Sequence, residues 1–363
     1  MCLFDDIPVV KGHPVVRDTD VESSLSTHIQ EVLTHRSSDL AVVKKNRFAE
    51  KDTFIYKYAW EGQAYILKET PPYCSDEKGL AAIARLRTHV RQGGIPIPEL
   101  VLSQGVKVRG NRYLVETFIQ GDPWSACEEK TKQMAHVLGR FHTFLHMAGK
   151  SAQDEFEKGL KKQSLFDLAR LMVTIVPDRI DQTVWSCNQK TLAPLLATWK
   201  ERLDTLESTA LKNGYNDIRI AIHGDYNPTN VLFDAQKNVV GVIDFDDCCL
   251  DNPIHDVGTA LLHMHCFTFN PSAPFLAEDS DAEQQAKRHA QLFLENYVST
   301  SFVKREEIRP YVKEVVETVA IQLAALYLIK GVYTDFSNLT SLVDHVGRAT
   351  AIVNEVCDSF TKI

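Results

Sequence analysis

The chain has 363 residues, 44% of them hydrophobic, which is enough for two lobes and a sizeable core. Its 48 acidic and 40 basic side chains leave a net charge of −8 with no basic stripe, so nucleic acid is excluded as an expected partner. No run approaches the roughly 18 apolar residues of a membrane span, Met1-Cys2-Leu3-Phe4-Asp5-Asp6 has no signal-peptide pattern, and the 8 cysteines include no Cys-x-x-Cys; a reduced, cytoplasmic protein without membrane contact is expected.

Residues 1–18 read as an irregular lead-in. Val21, Leu25, Ile29, Val32 and Leu33 recur at helical spacing and predict a helix over 21–33. Thr53-Phe54-Ile55-Tyr56-Lys57-Tyr58, a turn holding Glu61-Gly62, and Ala64-Tyr65-Ile66-Leu67-Lys68 read as paired strands. Ser75-Asp76-Glu77 opens a helical pattern through Leu80, Ile83, Leu86 and Val90, with Glu77 suited to first-turn electrostatics. Arg112-Tyr113-Leu114-Val115-Glu116-Thr117-Phe118-Ile119-Gln120-Gly121 follows, and Gly121-Asp122-Pro123-Trp124 marks a crossover between an N-terminal lobe, 1–120, and a C-terminal lobe, 121–363.

Beyond Glu128 helical spacing dominates, with Met134, Val137, Leu138, Phe141 and Leu145 forming one stripe. His142 and His146 lie one turn apart there without a third ligand or a zinc-protease glutamate, so they read as packing histidines. Residues 151–215 are mostly helical, and three more helical segments are predicted near 281–299, 305–333 and 338–360. His263 and His265 are two apart and would diverge on a helix, so no metal site is read there with Cys266. Glu278, Asp279, Asp281 and Asp335 read as a solvated face.

His223-Gly224-Asp225-Tyr226-Asn227-Pro228-Thr229-Asn230, followed by Val242-Ile243-Asp244-Phe245, carries the chemistry. Phosphoryl transfer asks a protein mainly to position the acceptor hydroxyl and to hold Mg²⁺ against nucleotide phosphates. Asp225 suits the first task, taking or orienting the acceptor's proton. Asn230 and Asp244 are oxygen ligands suited to Mg²⁺. The apolar runs between them flank the polar turn Asp234-Ala235-Gln236-Lys237-Asn238, predicting a hairpin that returns Asp244 to the end occupied by Asn230. Connectivity also holds Asp246 and Asp247 beside this mouth, where one of them, Asp247 first, is expected to contact the acceptor.

These residues resemble the aminoglycoside phosphotransferase and choline kinase family, whose loop looks like His-Gly-Asp-x-x-x-x-Asn followed by Ile-Asp. The resemblance spans about residues 20–335. It implies an α+β, bilobal, protein-kinase-like fold, with a small mixed β-sheet N-lobe that binds nucleotide and a larger, mostly helical C-lobe. It implies transfer of the γ-phosphate of ATP or GTP, with Mg²⁺, to a hydroxyl of a small molecule: an aminoglycoside, an amino alcohol or a homoserine-like acceptor. By the same resemblance Lys68 contacts the phosphates with Glu77 as its ion-pair partner, and backbone groups from Glu116 through Thr117 and Phe118 to Ile119 hydrogen-bond the purine. Gly94-Ile95-Pro96-Ile97-Pro98 is similar to the family's approach to its fourth strand, and His223 and Asp256 support the catalytic loop. The loop expected over the phosphates, Asn46-Arg47-Phe48-Ala49-Glu50-Lys51-Asp52, departs from the pattern in having no glycine. A protein kinase is disfavoured by the short path from Asp244 to Asp256 and the missing Ala-Pro-Glu signature. A nucleotide-binding regulator without activity would have no need of Asp225.

Overall fold

The computed structural model describes residues 19–35, 41–46, 53–70, 77–102, 105–162, 164–269, 280–308, 310–330 and 337–362. Residues 47–52 of the expected phosphate loop, and Glu278, Asp279 and Asp335, lie outside the described residues, as do the side chains of His265 and Cys266. The chain divides into two compact units, Met1–Gly121 and Asp122–Ile363. The fold is α+β, with a small antiparallel sheet in the first unit and a mostly helical second unit.

The first unit runs α1 (Thr19–His35), β1 (Ala41–Asn46), β2 (Thr53–Trp60), β3 (Gln63–Glu69), α2 (Glu77–Gln92), β4 (Val106–Val108) and β5 (Asn111–Thr117). Its sheet has the order β1-β2-β3-β5-β4, with every neighbouring pair antiparallel. Glu61 and Gly62, both at positive φ, make the tight turn between β2 and β3. The pleat then sorts the side chains. Tyr58, Tyr65, Leu67, Tyr113 and Val115 face one way and pack with Leu25, Ile29 and Val32, the predicted apolar stripe of α1. The alternate residues Ile55, Lys57, Ile66, Lys68, Leu114 and Glu116 share the opposite face, where Leu114 meets Leu80 of α2 and Leu100.

The second unit contains β6 (Asp122–Pro123), α3 (Glu128–His146), α4 (Lys150–Gly159), α5 (Leu165–Arg179), α6 (Gln182–Lys212), β7 (Ile220–Ile222), β8 (Val231–Phe233), β9 (Val239–Val242) and β10 (Cys249–Asp251). It ends in α7 (Ile254–Phe269), α8 (Ser280–Thr300), α9 (Arg305–Ile308), α10 (Val312–Lys330) and α11 (Ser337–Lys362). The helical stretch 151–215 is divided by its caps: Ser164 forms a capping box with Asp167 at α5, and Asp181 accepts from the Thr183 and Val184 amides at α6. The single helix expected over 305–333 is two, because Pro310 has no N–H to donate and cannot continue α9. No described helix is long and apolar enough to cross a membrane.

α3 and α8 pack closely through a glycine. A Cβ added at Gly139 would stand 2.7 Å from the Tyr297 carbonyl oxygen of α8. Gly139→Ala is therefore expected to lower stability by about 1–3 kcal/mol, the usual cost of overpacking. The denaturation midpoint measures this, and an unchanged midpoint would show that the helices are not held at this spacing.

Candidate active site

Short strands place the His223–Asn230 loop. β7 pairs with β10, while β8 and β9 form the expected hairpin, with Val231 opposite Val242. The Ile243 N–H donates to the Asn230 carbonyl at 2.9 Å, so Asp244 follows directly at the hairpin's open end. Gly224 takes φ +82°, and a Cβ there would overlap the Asp247 carbonyl oxygen; the position needs glycine on both counts.

The loop is tied down by one carboxylate. Asp256, on the first turn of α7 and fully buried, accepts the His223 N–H at Oδ2 (2.9 Å) and the Gly224 N–H at Oδ1 (2.8 Å). His142 of α3 donates from Nε2 to the same Oδ2 at 3.0 Å, and its Nδ1 receives the hydroxyl of Tyr297 of α8 at 2.9 Å. Burial works to raise the Asp256 pKa, but the hydrogen bond from His142 holds it below the usual carboxylate range. Asp256 is thus an anion shared by a loop and two further helices.

His223 locks the loop from the other side. Its Nδ1 accepts the Asp225 N–H at 3.3 Å, which leaves Nε2–H to donate to the Ile243 carbonyl at 3.0 Å. That is the neutral Nε2–H tautomer, and burial lowers the His223 pKa in keeping with it. The His223 ring also lies 4.7 Å from that of Phe245.

At the centre stands the half-buried carboxylate of Asp225. Asn227 donates from Nδ2 to Asp225 Oδ1 at 2.8 Å, with its own Oδ1 held by the Thr229 N–H (2.9 Å) and hydroxyl (2.6 Å). Asn230 donates from Nδ2 to Asp225 Oδ2 at 3.0 Å and to the Asp225 carbonyl at 2.9 Å. Because Asn230 spends its amide nitrogen on Asp225, its Oδ1 is turned away and accepts no hydrogen bond from the described residues. The Asn230 amide oxygen and the Asp244 carboxylate, on backbone joined by the bond from Ile243 N–H to Asn230, are hard oxygen donors of the kind that suit Mg²⁺. Asp244 takes φ +69°, and Phe245–Asp247 form a single 3₁₀ turn that leaves Asp246 half-buried and Asp247 exposed.

In the first unit Lys68 is buried on β3, opposite Leu114. Glu77 is exposed, and its carboxylate meets Lys107 at 3.2 Å and Arg112 at 3.0 Å, a pairing that sequence did not suggest. Those hydrogen bonds lower its pKa. The Glu116 side chain is paired with the buried Arg87, and its backbone is paired with Ile66. The Thr117 N–H donates to Glu99 and the Phe118 N–H to Ala64, both at 2.9 Å. Of the expected purine-contacting stretch, Ile119 is therefore the amide with no protein acceptor among the described residues.

Three residues of the site escape sequence reading. His142 and Tyr297 sit at buried positions of ordinary helical stripes, and nothing in the spacing reveals that they meet. Asn227 carried a signal, since an Asn two residues after Asp225 and two before Thr229 has the side-chain reach of an Asx turn. His146, by contrast, stacks on Phe302 at 3.8 Å, as a packing histidine should. Among the described residues no cluster of His, Cys, Asp and Glu forms a metal cage.

Two outcomes test the tether. Asp256→Asn turns the anion at Oδ2 into an amide that cannot accept both the His223 N–H and His142 Nε2–H, and should cost about 3–6 kcal/mol at neutral pH, two charge-assisted hydrogen bonds at about 1.5–3 kcal/mol each. Because the native pKa of Asp256 lies below the ordinary 3.8, its contribution is complete above that value and is lost as pH falls through the lowered one. The difference between wild type and variant should then shrink below about pH 4 in chemical denaturation. Gly224→Ala should reduce phosphotransfer more than a hundredfold, because strain at positive φ adds to the overlap with Asp247; turnover near the wild-type value would show that the loop tolerates another path.

The sequence model of the phosphotransferase enzyme family (APH) matches residues 51–293. No curated protein sequence matches the chain. Among solved structures, an amicoumacin kinase in complex with AMP-PNP, Ca²⁺ and Ami is 17% identical, with 93% of this chain and 96% of that one covered at a TM-score of 0.58. The Plasmodium vivax ethanolamine kinase is 13% identical over 92% of this chain and 90% of that one, at 0.54. A choline kinase from Cryptosporidium parvum is 14% identical over 95% and 98%, also at 0.54. At these identities the structures speak to the fold. With two thirds of its length in the family's match and the Asp225 loop inside that span, the chain belongs to the phosphotransferase enzyme family.

Proposed function

We propose that this phosphotransferase moves the γ-phosphoryl group of ATP or GTP to a hydroxyl of an amine-bearing small molecule. The observation that carries the reading is the Asp225 carboxylate, held by the amides of Asn227 and Asn230 on a loop pinned by Asp256. That carboxylate accepts the acceptor's hydroxyl proton, and the two amides fix the direction from which the hydroxyl approaches. Asn230 Oδ1 and the Asp244 carboxylate hold Mg²⁺, which neutralises charge on the phosphates when bound. Lys68 contacts the phosphates, and the Ile119 N–H donates to the purine edge.

The acceptor class rests on charge. Asp246 and Asp247 add carboxylates directly after Asp244, and the chain carries a net −8. Ethanolamine and choline, named for two of the similar structures, both carry a hydroxyl beside a cationic nitrogen. Asp247 contacts that cation in this reading. Between Asp244 and Asp256 the chain holds only a 3₁₀ turn, β10 and the start of α7, which favours a small acceptor over a protein.

Nucleotide consumption with a panel of amino alcohols and amino sugars tests the reading. Asp225→Ala should lose about 10²–10⁴ in turnover while keeping nucleotide affinity within a few-fold. Asp244→Ala should lose nucleotide affinity and turnover together, and Asp247→Asn should weaken the acceptor alone. Wild-type turnover in Asp225→Ala would overturn the assignment.

A further inference from the structure

The sheet face that bears Lys68 bears a second lysine. Lys57 of β2 stands opposite Ile66 of β3, and Ile66 stands opposite Glu116 of β5. Lys57 is only 6% exposed, so it is not a solvated strand lysine. Its ammonium lies 3.6 Å from the centroid of the Phe118 ring. No carboxylate among the described residues pairs with it, and Glu116, the acid in its own row, is committed to Arg87. Burial lowers the Lys57 pKa. A buried ammonium whose partner is a ring face is costly for the free protein, and that cost is offset if a ligand supplies acceptor atoms.

Position says which ligand. The Phe118 N–H is used by Ala64, and the next amide, Ile119, has no protein acceptor among the described residues. Along β3, Lys68 follows Ile66 by one pleat repeat of about 6.6 Å. A nucleotide with its base at the Ile119 amide and its phosphates at Lys68 therefore lies across Ile66, beside Lys57. We propose that Lys57 is a base-specificity residue, its ammonium donating to the acceptor edge of the purine, and that it favours guanine over adenine. Guanine presents N7 and O6, both acceptors, whereas adenine pairs N7 with an N6 amino group whose hydrogens oppose a cation. The Phe118 ring holds the ammonium in place before the base arrives. This inference rests on the nucleotide reading proposed above.

Equilibrium binding of GTP and of ATP, each with Mg²⁺, to the full chain separates the two. Wild type should bind GTP at least about tenfold more tightly than ATP, the scale of one good base contact. Lys57→Met should bring the two affinities within about threefold by weakening GTP, with the thermal midpoint unchanged or raised because a buried cation is gone. Lys57→Arg, which retains the charge, should keep the preference and guards against a folding artefact in Lys57→Met. A wild-type preference for ATP, or the same GTP-to-ATP ratio in wild type and Lys57→Met, overturns the role of Lys57. If instead Lys68→Ala binds both nucleotides as wild type does, the nucleotide site itself is misplaced, whatever Lys57 does.

Discussion

Everything in the catalytic loop depends on one buried anion. The Asp256 carboxylate accepts two consecutive backbone N–H groups of the loop and an imidazole N–H, all without solvent. Hydrogen bonds to a charged group contribute about 1.5–3 kcal/mol each, and leaving any of these donors orphaned in the interior would cost a similar amount. The loop therefore has one low-energy path past α7. Gly224 permits that path, since its positive φ brings the chain flush against the Asp247 carbonyl.

The same anion connects parts of the chain that are far apart in sequence. Tyr297 supports His142, His142 supports Asp256, and Asp256 supports the backbone that presents Asp225. A parallel arrangement lies one strand away. Asp251 Oδ2, also buried, accepts from the Leu165 N–H (2.8 Å), the Tyr215 hydroxyl (3.0 Å) and His255 Nδ1 (3.1 Å). Burial opposes protonation of His255, yet the hydrogen bond it donates to Asp251 carries its pKa upward. Two carboxylates five residues apart thus organise the second unit around the β10–α7 corner. Such satisfied networks specify a unique arrangement, because each donor has one place to go.

The Asp225 carboxylate is treated differently. Asp225 is half-exposed, and the neutral amides of Asn227 and Asn230 set its orientation. Asn230 holds Asp225 through its amide nitrogen, which bonds both the carboxylate and the backbone carbonyl.

The sequence by itself determined the elements whose signal is local. The β2–β3 pair follows from its alternating pattern and Glu61-Gly62, α1 and α3 from their apolar stripes, and the hairpin joining Asn230 to Asp244 from a polar turn between apolar runs. The family was legible in His223, Gly224, Asp225, Asn230, Ile243 and Asp244, because phosphoryl transfer constrains residue type and short-range spacing together. Only the tertiary structure decided which polar groups share a partner. Periodicity says that His142 and Tyr297 face inward but not that they face each other. It puts Lys57 on a strand but cannot say that the ammonium lies against Phe118 rather than in water, and the family resemblance offered Glu77 to Lys68, whereas Glu77 meets Lys107 and Arg112. The physical reason is that burial and hydrogen-bond pairing depend on contacts between residues far apart in the chain, such as His142 and Tyr297 at 155 positions. No local pattern in a sequence encodes that distance.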